Sequence, residues 1–222
     1  MAKLIIAIVL TLASIFANAQ LKGSGKTITK TYNYKNFNQL SLQDLDGKIE
    51  IEIGKEFSIS VTIDDNLLPL LSFEENNSKN ELKIFFKNNV NNNKYIEDTN
   101  VKIKITMPKI IVINHSGNSV LVVSNLTGVS FKLENSGNGT ATISGKIDTL
   151  EIINKGNGNT KARELIAKNA KIKCSGNGNV YTTVCNELTA KVSGNCSVFN
   201  FGRAKFDAQS SKSGNARLIN KE

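Results

Sequence analysis

The chain has 222 residues, a formal net charge of +9 and 40% hydrophobic residues, enough to bury a sizeable core as one domain or two small ones. No apolar run after residue 19 is long enough for a membrane-spanning helix, so the mature chain is expected to be soluble outside the cytoplasm. Residues 109–222 hold 15 Lys/Arg and 7 Asp/Glu, whereas residues 20–108 hold 12 of each. A basic surface favours anionic partners, although it can also serve solubility alone.

Residues 1–19 are predicted to be a secretory signal peptide. Lys3 supplies a positive start, residues 4–16 are almost entirely apolar, and Ala17-Asn18-Ala19 forms a small-x-small cleavage site. The alternative is an uncleaved membrane anchor or a buried helix, but the run is short for a membrane span. We therefore expect an exported chain, in the periplasm, on the cell surface or secreted, with no transmembrane span in its mature form.

Residues 20–33 are expected to form a mobile connector and a first edge strand, and residues 34–109 to hold further N-terminal strands. Residues 40–45 and 49–53 alternate apolar with polar side chains. Alternation of period two is typical of half-buried β-strands. The pattern predicts that the strand at 49–53 forms a hairpin with the similar run that ends at residue 63.

Two further features are predicted before the repeats begin. A short helical turn includes Pro69 and is capped by Asp64 or Asp65. The Asn-rich segment 88–100 is expected to be an exposed loop. The strands on either side of this loop are predicted at residues 81–87 and 101–105.

Residues 110–222 repeat a Ser-Gly-Asn phrase six times, once with Lys in place of Ser. The steps between its glycines are 20, 19, 20, 18 and 20 residues, and this fixed period predicts stacked coils. Alternate residues on both sides of each glycine are mostly apolar, so each coil is predicted to hold two short strands and two corners. The predicted structural turn residues are Gly117, Gly137, Gly156, Gly176, Gly194 and Gly214.

The predicted fold is all-β: a β-solenoid of two sheets with about 19–20 residues per coil, continuous with the N-terminal strands, so that residues 34–222 form one domain. Equal positions of successive coils stack about 4.8 Å apart. Asn135 and Asn154 are therefore expected to lie on one inward row, where their amides satisfy each other. An antiparallel meander is the competing interpretation, because Gly-Asn turns also form hairpins, but it gives no reason for one corner to recur.

These corners, the segment Asp46-Gly47-Lys48-Ile49-Glu50-Ile51 and the segment Asp65-Asn66-Leu67-Leu68 together resemble a known family. It is the auto-transporter adhesin family with a head GIN domain, found in exported proteins of Bacteroidetes-type bacteria. The resemblance covers roughly residues 34–220. It implies a right-handed β-helix-like fold, a likeness to pectin-lyase-type solenoids without their catalytic residues, and a role in cell adhesion. Where many relatives have Gly-Ser-Gly, this chain mostly has Ser-Gly-Asn.

The sequence offers little for catalysis. His115, the only histidine, is interpreted as a core or cap residue, because the nearby Ser116 and Ser119 are expected to be corner residues rather than nucleophiles. No catalytic, cofactor-binding or metal-binding motif is present, so the chain is not expected to be an enzyme or to need a cofactor. The alternative is a polysaccharide-active, lyase-like enzyme, which would need a groove that gathers Asp148, Glu151 and a lysine.

The three cysteines, Cys174, Cys185 and Cys196, all fall inside the repeats. In an exported protein two of them could form a disulfide and leave the third over, and the spacing does not say which. No zinc pattern has this spacing.

The outward rows between the corners are where we expect a ligand. Tyr181 and Phe199 are predicted side by side on successive coils, next to Lys171, Lys173 and Lys191. Aromatic rings beside cations suit a sugar ring or an anionic chain, unless the N-terminal strands or the 88–100 loop cover them. The expected function is adhesion or ligand interaction, with an anionic glycan or another cell-surface ligand as partner; a structural envelope protein is a further alternative. No specific nucleic-acid binding is expected, and the oligomeric state is left open.

Overall fold

The computed structural model describes residues 21–87, 89, 96–97 and 99–221, so the predicted signal peptide lies outside the described residues. Seventeen strands and one 3-10 turn, Leu68–Leu70, make up the regular structure of this part of the chain. The N-terminal strands are β1 (Leu21–Lys22), β2 (Thr27–Tyr32), β3 (Gln39–Leu45), β4 (Lys48–Ile53), β5 (Ser58–Asp64), β6 (Leu71–Asn76), β7 (Glu81–Phe86), β8 (Ile96–Glu97) and β9 (Lys102–Met107). The repeat strands are β10 (Val112–Gly117), β11 (Val120–Gly137), β12 (Ala141–Gly156), β13 (Thr160–Gly176), β14 (Val180–Val192), β15 (Ser197–Asn200), β16 (Ser211–Lys212) and β17 (Arg217–Asn220).

The repeat tract is a parallel β-solenoid, as predicted. Each coil has a first arm, which follows a corner glycine, and a second arm, which leads to the next corner glycine. Neighbouring coils pair in parallel at equal repeat positions: Gly117 faces Gly137, which faces Gly156, which faces Gly176. The strands β11, β12 and β13 each run through both arms, and the register shifts at the corner opposite the glycine. The antiparallel meander is therefore wrong.

The N-terminal strands continue the same stack, but not in sequence order. β3 and β4 form a coil that lies between two others, because β3 pairs with β10 and β7 while β4 pairs with β11 and β9, all in parallel. Antiparallel strands then close this end of the stack: β6 pairs with β7, and β5 pairs with β9 and β2.

The hairpin predicted from residues 49–53 is wrong, because β4 and β5 are not partners. β9 lies between them and aligns Ile105 with Ile51 on one side and with Ile59 on the other. All three isoleucines are buried. Burial of three isoleucine-rich strands in one layer therefore decides the pairing, and the short connection at residues 54–56 does not.

Two local predictions also need correction. The 3-10 turn has Leu67 at its N-cap without a side-chain hydrogen bond, so neither Asp64 nor Asp65 caps it. The segment 88–100 is not simply an exposed loop, since Asn89 and Ile96 are only 1% and 2% exposed and β8 pairs with β1. The missed signal at Ile96 was an isolated apolar residue within an Asn-rich run.

The core is one continuous cluster that extends from the N-terminal strands to the final coil. Inward side chains of both arms meet in it, for example Ile152 and Ile172 from second arms and Val180 and Val198 from first arms. Each fully buried Val, Leu or Ile contributes about 1.5–3 kcal/mol relative to an exposed one. Because both arms point inward to one core, their outward side chains lie on opposite faces of the solenoid.

Candidate functional site

The repeated Ser-Gly-Asn corner is a structural element. Gly176 has a φ of 101°, and a Cβ on it would lie 2.4 Å from the carbonyl oxygen of Gly156 in the coil beneath. That same oxygen accepts hydrogen bonds from the backbone N–H groups of Asn177 and Gly178, at 2.9 and 3.1 Å. The corner's polar groups are therefore used to hold the next coil, which leaves little at the corner for a ligand.

Two rows of asparagine amides flank the corners, one inward and one outward. On the inward row, Asn135 donates from Nδ2 to Oδ1 of Asn154 at 3.0 Å, which confirms the predicted pair. On the outward row, each amide donates to the one in the preceding coil at 2.7–3.1 Å. The outward row consists of Asn118, Asn138, Asn157, Asn177, Asn195 and Asn215.

His115 ends the inward amide row and is only 1% exposed. Its Nδ1 lies 2.7 Å from Asn135 Oδ1 and its Nε2 lies 2.8 Å from Ser119 Oγ. Since Asn135 presents an acceptor, Nδ1 carries the proton and Nε2 accepts from the hydroxyl. Burial lowers the pKa of His115, although the contacts with Asn135 and Ser119 oppose that effect. Both ring nitrogens are occupied, as expected for a core histidine.

The structure shows which cysteines are paired and where the acids Asp148 and Glu151 lie. Cys174 and Cys196 are joined by a disulfide with their Cα atoms 6.1 Å apart, and Cys185 is free. Asp148 and Glu151 lie in two different ion pairs, with Lys168 at 2.7 Å and Lys132 at 3.6 Å. No group of three or more His, Cys, Asp and Glu side chains that could hold a metal ion occurs in the described ranges.

Tyr181 and Phe199 stack on successive first arms, as their spacing predicts. Their ring centroids are 5.0 Å apart and their planes differ by 5°. The register continues this row to Lys161 on one side and Ile219 on the other. Both rings are half-buried, so neither is wholly open to solvent.

Cations that the sequence reading missed surround this stack. The guanidinium carbon of Arg163 lies 4.3 Å from the ring centroid of Phe201, and Lys221 Nζ lies 5.8 Å from that of Phe199. Arg163, Phe201 and Lys221 all stand seven residues after a corner glycine, a row that could have been read from the sequence. The residues Arg163, Tyr181, Phe199, Phe201 and Lys221 are named the aromatic face below.

The three predicted lysines do not join the aromatic face. Lys171, Lys173 and Lys191 are exposed and lie on second arms, with Lys173 directly opposite Lys191 in the register. Because second-arm side chains point away from first-arm side chains, these lysines lie on the opposite side of the solenoid from Tyr181 and Phe199. These three residues are named the lysine face. The sequence predicts one surface for the rings and the lysines, whereas the structure places them on two separate surfaces.

The fold and its repeated corners define the class of protein: a repeat-built β-solenoid whose outward rows form extended surfaces. The profile of the family described as "Putative auto-transporter adhesin, head GIN domain" matches residues 36–204, and the chain belongs to that family. No curated protein matches the chain. No helix in the described part of the chain is long and apolar enough to cross a membrane.

Three solved structures share the fold. A putative adhesin from Bacteroides fragilis NCTC 9343 is 22% identical, with a TM-score of 0.68 over 90% of this chain and 100% of that one. A putative adhesin from Parabacteroides distasonis ATCC 8503 is 17% identical, with a TM-score of 0.54 over 91% and 100%. A putative lipid binding protein from the same organism is 19% identical, with a TM-score of 0.56 over 91% and 100%.

Proposed function

We propose that the mature chain is an exported, non-enzymatic adhesion module that binds a glycan through the aromatic face. The observation that carries the proposal is the parallel stack of Tyr181 and Phe199, 5.0 Å apart and half-exposed on one outward row. Stacked rings at a surface offer a flat apolar platform for the apolar side of a sugar ring. Membership of an adhesin family supports the same role.

The charges around the stack favour an anionic glycan. Lys221 lies over the ring of Phe199 and Arg163 over that of the nearby Phe201, and Lys161 and Arg217 stand on the same first arms. The first arms at residues 160–163, 180–183, 197–201 and 217–221 contain no Asp or Glu. Acids follow directly at Glu164 and Glu222, so a carboxylate or ester group on the sugar would meet an excess of cations rather than cations alone.

Glycan-array binding by the purified mature chain tests this function. Tyr181→Ala/Phe199→Ala should weaken binding of the preferred acidic glycan at least tenfold, because the platform is removed. The matched control is Tyr34→Ala/Phe73→Ala, which removes a stacked pair 5.2 Å apart in the N-terminal region. An equal loss in both double variants, or a wild-type chain that binds no glycan, would contradict the proposal.

The proposal has two further parts: the chain is not an enzyme, and it is exported. The separate ion pairs of Asp148 and Glu151 support a non-enzymatic role, and incubation with acidic polysaccharides should release no shorter products.

The pattern of residues 1–19 supports export. Mass spectrometry of the mature chain should find Gln20 at its N-terminus, and protease added to intact cells should cleave it if it reaches the surface.

A further inference from the structure

We infer that the lysine face is a second binding site, which takes sulfate or phosphate ester groups of an anionic polysaccharide. The glycan class rests on the proposed function; the anion chemistry rests on the lysine face itself. This surface lies on the opposite side of the solenoid from the aromatic face, so the two sites act on different ligand chains or on different segments of one chain.

The first observation is that, in the described part of the chain, Lys173 and Lys191 have no carboxylate opposite them in the register, whereas Lys171 lies opposite Glu151. In earlier coils, Lys132 pairs with Glu151 at 3.6 Å and Lys155 with Glu134 at 2.7 Å. Among the residues that the structure describes, no carboxylate oxygen lies within 4.0 Å of the three lysines of the lysine face. The sheet is therefore neutralised in its early coils and positively charged in its late ones.

The second observation is the register. Lys173 and Lys191 are directly opposite each other on neighbouring parallel strands. The backbones of such strands lie about 4.8 Å apart. Like charges in this position are destabilising. Asp207, on the next coil, accepts hydrogen bonds from Thr189 and Ser210 and, among the described residues, forms no ion pair with either lysine. A bound anion would turn this repulsion into attraction.

The third observation is a set of hydroxyl donors next to the lysines. An open depression beside Lys173 and Lys191 is also lined by Ser175, Ser193 and Ser213. Their hydroxyls make no hydrogen bond with other described residues. An ester sulfate or phosphate has three acceptor oxygens, so two ammonium groups and a hydroxyl can each serve one.

The face suits a polymer rather than a single ion, because its donors recur on successive coils about 4.8 Å apart. It also offers no aromatic ring for stacking nucleic-acid bases. With one site on each side, one chain of the protein would join two glycan strands. Such cross-linking is a direct physical route to adhesion.

The test compares dextran sulfate with dextran, which has the same sugar backbone without the charge. The purified mature chain should bind dextran sulfate, with an affinity that falls as salt rises. Lys173→Gln/Lys191→Gln should weaken that binding at least tenfold and flatten its salt dependence. Lys132→Gln, on the same sheet but in an ion pair, should change it less than twofold, and Tyr181→Ala/Phe199→Ala should retain it.

Several outcomes would overturn the inference. Equal losses for Lys132→Gln and the double lysine variant would mean that net charge alone is responsible. Equal binding of dextran, or no binding of dextran sulfate, would remove the anion site. Stronger binding to vesicles of phosphatidylglycerol and phosphatidylcholine would assign the face to a lipid surface. Loss of dextran sulfate binding only in Tyr181→Ala/Phe199→Ala would mean that dextran sulfate binds to the aromatic face and not to the lysine face. Unchanged thermal melting of each variant shows that its fold is intact.

Discussion

The antiparallel strands that close the N-terminal end of the stack, named the N-terminal cap, have turns that resemble the corners of the coils in sequence but differ from them in what surrounds them. A Cβ on Gly54, between β4 and β5, meets nothing within 4 Å. A Cβ on Gly176 would lie 2.4 Å from the oxygen of Gly156. Gly47, the corner of the coil formed by β3 and β4, behaves like the repeats, since its Cβ would lie 2.2 Å from the oxygen of Val101. A turn is thus local in the cap, whereas a corner of the stack belongs to the packed interior.

The early and late coils differ in charge in a related way. Residues 109–159 hold four Lys/Arg and three Asp/Glu, whereas residues 160–222 hold eleven and four. The early coils pair their charges across neighbouring strands. The late coils carry both the aromatic face and the lysine face. Stacking therefore supplies a uniform scaffold, and the last coils depart from that uniformity on the two faces that we propose as binding surfaces.

The largest expected effect comes from the stacked corner. Gly176→Val should lower the free energy of unfolding by about 4 kcal/mol or more, because the new side chain meets backbone at a positive φ. Gly54→Val should lower it by about 1–3 kcal/mol, since only the positive φ opposes it there. Urea unfolding measures both. Equal losses would show that the stack adds nothing to the requirement for glycine.

The second-largest effect is expected in a comparison of a buried asparagine amide with an exposed one. Asn154→Ala should lower the free energy of unfolding by about 2–4 kcal/mol, because Gly158 O and the polar groups of Asn135 and Thr160 lose a buried partner. Asn157→Ala, which removes two bonds of the exposed amide row, should change the free energy of unfolding by no more than about 0.5 kcal/mol. Thermal melting of the two variants provides the measurement. Similar losses would mean that the ladder itself, rather than its burial, stabilises the coils.

The pH dependence distinguishes the cap from the first corner of the repeats. Burial holds the pKa of His115 below 6.5, so the unfolded chain takes up its proton first and stability should fall as pH drops below 6.5. Burial would raise the pKa of Asp64, but hydrogen bonds from Asn100 and Gly25 outweigh it and lower the pKa below 3.8. Its contribution should therefore be present above pH 3.8 and be lost as pH falls below that value.

Two measurements check these directions. The ring signals of the single histidine should titrate below pH 6.5 by NMR. The melting temperature of Asp64→Asn should lose only the part of its pH dependence below pH 4, the region set by Asp64. A histidine that titrates at or above pH 6.5 would contradict its burial.

The smallest effect is expected at the paired charges of the early coils. Glu134→Gln removes the partner of Lys155 on a partly exposed surface, where such pairs are worth less than about 1 kcal/mol. The free energy of unfolding should change by about 0.5 kcal/mol or less. A larger change would mean that charge pairing, as well as corner stacking, holds the early coils together.

The period of the corner glycines was sufficient to predict the solenoid, its inward rows and the amide pair of Asn135 and Asn154. It succeeded because stacking at a fixed period forces equal positions into contact. It could not place β9 between β4 and β5, since that pairing joins residues about fifty positions apart and is decided by burial. The burial of Ile96 was missed for a similar reason, because its partner strand β1 lies far away in sequence.

The candidate site was predictable in part. The stack of Tyr181 and Phe199 follows directly from their equal repeat positions, and the row containing Arg163 and Phe201 could have been read in the same way. The separation of the lysines from the rings was also implicit, because residues before and after a corner belong to different arms. The reach of the Arg163 side chain past one intervening coil to Phe201 depends on its rotamer, which sequence spacing does not specify.

The outward amide row repeats one identical bond from Asn138 to Asn215, each amide donating to the one in the preceding coil. Deleting or duplicating a coil would therefore present the next amide with an equivalent acceptor. Each coil that is added or removed would change the length of the solenoid by about 4.8 Å. Evolution can therefore change the length of such a protein by whole coils without altering the residues of its last coils.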